Sequence, residues 1–345
     1  MISQAGCPKL SARRLEAGSR ENGEETETMG SGSNRIEHIG IVGAGLIGAH
    51  WAAYFLAQGF AVSAFDPDPR AAARLSAIVA DIWPVMQQAG LVRLSGTPPS
   101  VAFAPLREVC SRADFIMENG PETVAAKTAL IAQIDAMAAP DVIIASSSSS
   151  LLPSDYQSQA AQPGRVLGAH PFNPPSLIPL VEIVPGRLTT ADSVEQAMKF
   201  FADIGKHPIH VRREQAGFVA NRMTAALYRE AVDLVASGVA TVEDVDAAIC
   251  HGPGLRWAFM GPHLLYHLGG GEGGYRHYLD HLGSSQEARW ATLRTSSLTP
   301  ALREQLIAGV EDELRALRMK EPAQQRDKGL GALLQLRGAV MGKQP

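Results

Sequence analysis

Between Ile36 and about Val211, short apolar runs alternate with longer segments whose apolar residues recur every three or four positions. That rhythm is the βαβ signature and predicts an α/β fold with a mostly parallel sheet. Strands fall near 36–42, 61–66, 114–118, 141–146 and 165–169, with further strands at 178–184 and 207–211. Helices fit between them, among others at 46–58, 122–137 and 191–203. From Gly217 the pattern changes. Val219, Met223, Leu227, Ala231 and Leu234 recur at helical spacing, and Gly238 follows as a stop. The chain therefore divides into a sheet-bearing domain over 35–213 and an all-helical C-terminal domain over 214–345. Residues 1–34 are polar, Gly/Ser-rich and without apolar periodicity, which predicts a disordered tail, and Met29 is a candidate for the true start. The stretch Gly269 to Gly274 reads equally as a flexible loop or a tight turn.

Composition narrows function more than fold. A chain of 345 residues has room for two domains, and 46% hydrophobic with 19% charged residues excludes wholesale disorder, collagen and a coiled coil. Lys and Arg number 31 against 35 Asp and Glu, a net charge of −4 without a long basic run. The electrostatic drive for nucleic-acid binding is thus missing, and no such partner is expected. Cys7, Cys110 and Cys250 lie far apart and match neither a CxxC pair nor a disulfide framework, which fits a reducing compartment. No apolar run reaches the roughly 18 residues that span a bilayer, so a cytoplasmic protein without a membrane partner is expected.

The first strand runs directly into Gly43-Ala44-Gly45-Leu46-Ile47-Gly48 and then into an amphipathic helix. In such a GxGxxG turn the first glycine permits the tight bend, the second admits a pyrophosphate, and the third lets helix pack on strand. The anion sits at the helix N-terminus, where unpaired N–H groups and the macrodipole both favour it. The second strand ends in Asp66, whose carboxylate suits two ribose hydroxyls and repels a 2′-phosphate, so NAD is favoured over NADP. Arg70, four residues on, keeps NADP open as the alternative.

Glu182 is the most informative single residue downstream. In a strand it shares a face with Leu180 and Val184, and a carboxylate left unpaired in an apolar row costs several kcal/mol. The nearest candidate partner is His170, twelve residues earlier and just before a Pro-rich turn that can fold the chain back. A carboxylate behind an imidazole sets its tautomer and makes the outer nitrogen a general base for a hydroxyl proton. The competing reading, a histidine bonded to a loop carbonyl and an acid at a sheet edge, stands beside it. Asn221 is offset by roughly 200° from Val219 on the helix and so leaves the apolar stripe.

Together GAGLIG, SSSL, AHPFNPP, LVEIVPG and AGFVANR resemble the L-3-hydroxyacyl-CoA dehydrogenase family, from about Ile36 to about Gly283. The stretches HPFNPPSLIPLVEIVP and GLRWAFMGP are most similar to its lambda-crystallin (L-gulonate 3-dehydrogenase) and L-carnitine dehydrogenase branch. The resemblance implies a Rossmann-like domain, a helical domain that makes a homodimer, and substrate in the cleft between them. It implies His170 as catalytic base, Glu182 as its orienting acid, and Ser149 and Asn221 as donors to the substrate oxygens. It adds Glu122, Lys127 and Asn173 to the NAD-binding set; on their own, Glu122 and Lys127 look like a helix-start acid and a surface lysine.

The substrate is read from what is absent as well. Family members that act on CoA esters carry a lysine-rich insertion after the second strand, and this chain has no lysine between Pro67 and Ala126. A small L-3-hydroxy acid therefore ranks first, with carnitine the leading candidate and a short 3-hydroxyacyl-CoA second. Arg222 or Arg256 could hold the acid group, and Trp257, Phe259 and Tyr266 could form an aromatic wall for a trimethylammonium. The pairs His263/His267 and His277/His281 have helical spacing but lack the Glu of HExxH and a third ligand, so no metal is expected. A nonenzymatic, crystallin-like role is the remaining alternative.

Overall fold

The computed structural model describes residues 35–342, so the tail expected at 1–34 lies outside the described residues. From Ile36 onward the described chain forms one compact unit. Its sheet has eight strands: β1 (His38–Val42), β2 (Ala61–Phe65), β3 (Ala102–Phe103), β4 (Phe115–Glu118), β5 (Ile143–Ser146), β6 (Val166–Pro171), β7 (Leu180–Pro185) and β8 (His207–His210). Their order is β3-β2-β1-β4-β5-β6-β7-β8. All neighbours run parallel except β6 and β7, which pair antiparallel.

Helices cover both faces, so the strands read as continuous apolar runs rather than alternating ones. On one face lie α1 (Leu46–Gln58), α2 (Ala71–Gln88) and, later in the chain, Ala191–Asp203; on the other lie α3 (Leu106–Arg112), α4 (Val124–Asp135) and α5 (Pro153–Tyr156). Successive residues of a strand point to opposite faces. Accordingly Ile39, Ile41, Phe115 and Met117 join Trp51 and Phe55 of α1 in one core, whereas Val42, Ile116 and Ile144 join Ile131 and Ile134 of α4 in the other. Helix Ala191–Asp203, here α6, adds Phe200 and Phe201, and Phe115 stacks on Phe200 with ring centroids 4.3 Å apart. Each fully buried aromatic of this cluster contributes roughly 2–3 kcal/mol.

Strand order reverses at β1, which lies between β2 and β4, and the loops leaving the C-terminal ends of β1 and β4 diverge there. In open parallel sheets that crevice is where ligands bind. The rest of the described chain is helical: α7 (Ala220–Ala236), α8 (Val242–Cys250), α9 (Pro253–Trp257), α10 (Pro262–Gly269), α11 (Gly274–Trp290), α12 (Pro300–Ala316) and α13 (Pro322–Met341). A Rossmann-like, mostly parallel sheet is thus followed by an all-helical region. The glycine-rich stretch left open by sequence is a short 3-10 turn, Gly271–Gly273, joining α10 to α11. The two-residue edge strand β3 is too short for a periodicity argument and was not expected. Among the described residues no helix is long and apolar enough to cross a membrane.

Candidate active site

A cavity of about 470 Å³ opens at the C-terminal ends of β4, β5 and β6. Ile47, Asn119, Gly120, Glu122, Lys127, Ser147, Ser148 and Ser149 line it together with His170, Asn173 and Asn221.

The glycines of the first loop have separable reasons. Gly43 has φ +91°, and a Cβ there would meet the Asn119 carbonyl oxygen at 2.6 Å. A Cβ on Gly48 would lie 2.0 Å from the Gly43 oxygen. At Gly45 nothing lies within 4 Å of a Cβ, so the protein's own packing does not demand glycine there. Gly45 is the N-cap of α1 and no side chain caps the helix, which leaves the first N–H groups, from Leu46 and Ile47, without a side-chain acceptor. That cradle fits a pyrophosphate. Asn119 adds a buried Oδ1 without a hydrogen-bond partner among the described residues.

Asp66 stands just past β2 and accepts from the backbone N–H of Ala44 (2.8 Å) and of Asp68 (2.9 Å), so the Gly-loop and the carboxylate hold each other. Arg70 is engaged by Asp68, its Nε 3.3 Å from Oδ1, while Arg74 donates to Oδ2 at 2.5 Å. Those guanidinium and backbone donors, Arg74 foremost, hold the Asp68 carboxyl well below the usual carboxylate range.

His170 and Glu182 stand directly opposite each other in the β6–β7 register. His170 Nδ1 lies 2.7 Å from Glu182 Oε2. A carboxylate only accepts, so Nδ1 carries the ring proton and Nε2 is left as the basic nitrogen. Oε1 of Glu182 accepts from the N–H groups of Val219 (2.9 Å) and Ala220 (3.0 Å) at the start of α7. Burial alone would push this carboxyl up; the His170 hydrogen bond and the two backbone donors outweigh burial and hold it below its ordinary value. One side chain thereby ties the imidazole to the helix start that carries Asn221. The bend into that helix is tight: Gly217 has φ +74° and Phe218 φ +47°, a left-handed conformation rare outside glycine. The buried Phe218 ring packs 5.4 Å from the imidazole.

The serine loop after β5 is held by Glu122. Its Oε1 accepts from Ser148 Oγ (2.7 Å), from the N–H of Ser149 (2.9 Å) and of Ser150 (3.0 Å), and from Ser150 Oγ (3.0 Å). Burial pushes the Glu122 carboxyl up, but these donors and Lys127 bring it below its ordinary value. The backbone of Ser149 is thus fixed, while its hydroxyl has no partner among the described residues.

Lys127 corrects the surface-lysine reading: it is 1% exposed. Its ammonium donates to Glu118 Oε1 (2.9 Å) and to the Gly120 carbonyl (3.0 Å), and Glu122 Oε2 lies 3.7 Å away. Glu118, fully buried at the end of β4, was missed by sequence reasoning. The signal was present, since a charge closing an apolar strand is the argument that singled out Glu182. Lys206 was missed as well. Buried just before β8, its ammonium donates to the Pro175 and Ile178 carbonyls and sits 3.6 Å from the Tyr54 ring centroid. Desolvation holds it well below an ordinary lysine pKa. These bonds, with His50 Nδ1 at 2.8 Å from Ser176 Oγ, anchor the loop that begins at Asn173.

Other candidates are not brought here. Trp257, Phe259, Tyr266, Arg222 and Arg256 do not line the cavity. Tyr266 instead stacks on Tyr278, with centroids 4.6 Å apart. His263 lies 3.0 Å from the Tyr275 hydroxyl, His267 Nδ1 accepts from the Tyr275 N–H, and the His277 and His281 rings contact each other.

Known proteins resemble this chain along most of its length. The model of the 3-hydroxyacyl-CoA dehydrogenase NAD-binding domain matches residues 38–215, and that of the 3-hydroxyacyl-CoA dehydrogenase C-terminal domain matches residues 217–310. An L-carnitine dehydrogenase of Streptomyces griseus is 43% identical over 305 residues, covering 88% of this chain and 91% of its own. One from Pseudomonas aeruginosa is 42% identical over 299 residues, covering 87% and 93%. Among solved structures, the NAD+-dependent dismutase 5-formyl-3-hydroxy-2-methylpyridine 4-carboxylic acid 5-dehydrogenase superposes with a TM-score of 0.76 at 29% identity, covering 90% of this chain and all of that one. The 3-hydroxybutyryl-CoA dehydrogenase of Escherichia coli K12 gives 0.59 at 26% identity, covering 80% of this chain and 57% of that one.

Proposed function

The chain belongs to the 3-hydroxyacyl-CoA dehydrogenase family and is an NAD-dependent dehydrogenase, and from that premise we propose that it oxidises the 3-hydroxyl of a small L-3-hydroxy acid, L-carnitine foremost, to the 3-keto acid. The observation that carries the reading is the His170–Glu182 pair, 2.7 Å apart, bordering the same cavity as Ile47 of the Gly-loop.

In this reading His170 Nε2 takes the proton of the 3-hydroxyl, and the imidazolium so formed is stabilised by Glu182. Ser149 Oγ and the Asn221 amide donate to the same oxygen as it becomes a carbonyl. Bound NAD+ supplies the acceptor for the hydride that leaves C3 of the substrate. Gly45, Leu46 and Ile47 would hold the pyrophosphate, and Asp66 would accept the ribose hydroxyls. Glu122, Lys127 and Asn173 line the nicotinamide end. The engagement of Arg70 by Asp68 supports NAD over NADP.

Identity above 40% to carnitine dehydrogenases along nearly their whole length supports carnitine over a thioester. A panel of L-carnitine, L-gulonate, L-3-hydroxybutyrate and L-3-hydroxybutyryl-CoA, followed by NADH absorbance, tests it. Turnover of the free acids, carnitine first, is expected; turnover of the thioester alone overturns the ranking. The apolar row of α7, with Val219 48% and Met223 61% exposed, supports a homodimer through the helical region. Sedimentation equilibrium at the monomer mass would reject it. The free thiols of Cys110 and Cys250 fit a cytoplasmic location.

A further inference from the structure

One wall of the cavity carries an uneven set of charges. Lys127 supplies a single ammonium, and two carboxylates flank it, Glu118 at 2.9 Å and Glu122 at 3.7 Å. Glu118 is 0% exposed and every group bonded to it is a donor: Lys127 Nζ and the Gly120 N–H (2.5 Å) on Oε1, and Ser146 Oγ (2.6 Å) on Oε2. All three of its bonds thus use the carboxyl as an acceptor, the pairing a carboxylate makes. The wall therefore sums to one negative charge, and the buried pair is poorly screened by water and salt.

An oxidised nicotinamide ring carries a positive charge and a reduced one is neutral. We propose that the buried Glu118–Lys127 pair sets the relative affinity of this site for NAD+ and NADH, Glu118 supplying the carboxylate that makes the wall net negative and so favours the oxidised form. The inference rests on the reading above that the nicotinamide end enters this cavity. Glu118 acts as a positioning and charge-setting residue: of the groups it bonds, Lys127 and Gly120 line the cavity.

Replacement by glutamine separates charge from shape. The Gln carbonyl can accept from Lys127 and Gly120, and its amide can donate to Ser146 Oγ, which re-aims its own proton. Wild type, Glu118→Gln, Lys127→Met and the double variant would be titrated with NAD+ by calorimetry and with NADH by fluorescence. The readout is the ratio Kd(NAD+)/Kd(NADH), which damage common to both forms leaves unmoved. Glu118→Gln raises the ratio by roughly tenfold, the scale of removing one charge from a partly desolvated wall. Lys127→Met, which deletes the ammonium, lowers it. The double variant returns it to within about twofold of wild type, as expected for compensating charges. Glu118→Asp keeps the charge and so keeps the ratio. If Glu118→Gln does not fold, Lys127→Met and the double variant decide. A ratio unchanged in the single variants, or moved in the same direction by both, overturns the inference while leaving the proposed function standing. Failure of wild type to bind either form overturns the reading of the cavity, and the inference with it.

Discussion

Glu182→Gln tests the imidazole–carboxylate pair more sharply than removal of the histidine itself, because it removes the charge while keeping the size and shape of the side chain. Two N–H donors at the start of α7 face Oε1, so the glutamine carbonyl must take that side; the reverse orientation would set an amide against two N–H groups. The amide then faces His170 Nδ1, which has to accept, and the ring proton moves to Nε2, the nitrogen that the proposed mechanism uses as base. The variant also loses the carboxylate that stabilises the imidazolium. At the observed 2.7 Å and an effective dielectric near 20, that attraction is ~6 kcal/mol. The amide dipole and local relaxation recover part of it. A net loss of ~4 kcal/mol predicts turnover lowered about a thousandfold, roughly one order less than the ~10⁴ lost when the acid of a serine-protease triad becomes an amide.

NADH affinity, measured by fluorescence, changes by less than about twofold, since Glu182 does not face the Gly-loop. Stability falls by ~2 kcal/mol at neutral pH, because charge-assisted hydrogen bonds become neutral ones. The sign of its pH dependence follows from the depressed Glu182 pKa. A carboxyl held below its unfolded value, near 4.3, stabilises the fold fully above that pH and loses the contribution as pH falls through the folded value. The stability gap between wild type and variant, read from urea midpoints, is therefore flat above about pH 5 and narrows in acid. Turnover within tenfold of wild type, or a gap that widens in acid, would refute the reasoning.

Two more outcomes follow from packing. Gly45→Ala is expected to keep its melting temperature, because nothing lies within 4 Å of the added Cβ, yet to weaken NAD+ and NADH binding at least tenfold by intruding on the pyrophosphate cradle; Gly48→Ala, whose Cβ would lie 2.0 Å from the Gly43 oxygen, is expected to lose stability first. Equal melting temperatures for the two variants would refute the assignment. Cys110 is buried with its thiol pushed up to about 11, whereas Cys250 is exposed, so brief iodoacetamide treatment followed by peptide mass analysis should label Cys250 and spare Cys110.

Local patterning alone determined much of the architecture. The helix limits 46–58 and 191–203 read from periodicity are those of α1 and α6. The seven expected strands fall on β1, β2 and β4 to β8, because strand runs and helical stripes are properties of a few adjacent residues. The Gly-loop and the pairing of Glu182 with His170 were legible for a related reason: a buried charge must find a partner, and a Pro-rich turn returns the chain to it. What the tertiary structure decided came from contacts between separate elements of the fold. Lys127 looks like a solvated helix residue until Glu118, nine residues away on β4, is placed against it. Glu122 looks like a helix-start acid until the serine loop folds onto its carboxylate. The stripe Val219, Met223 and Leu227 has helical spacing, yet in the single chain it faces outward. Periodicity reports that a face is apolar, while only the assembled chain reports which neighbour covers it and which charge finds a counter-ion.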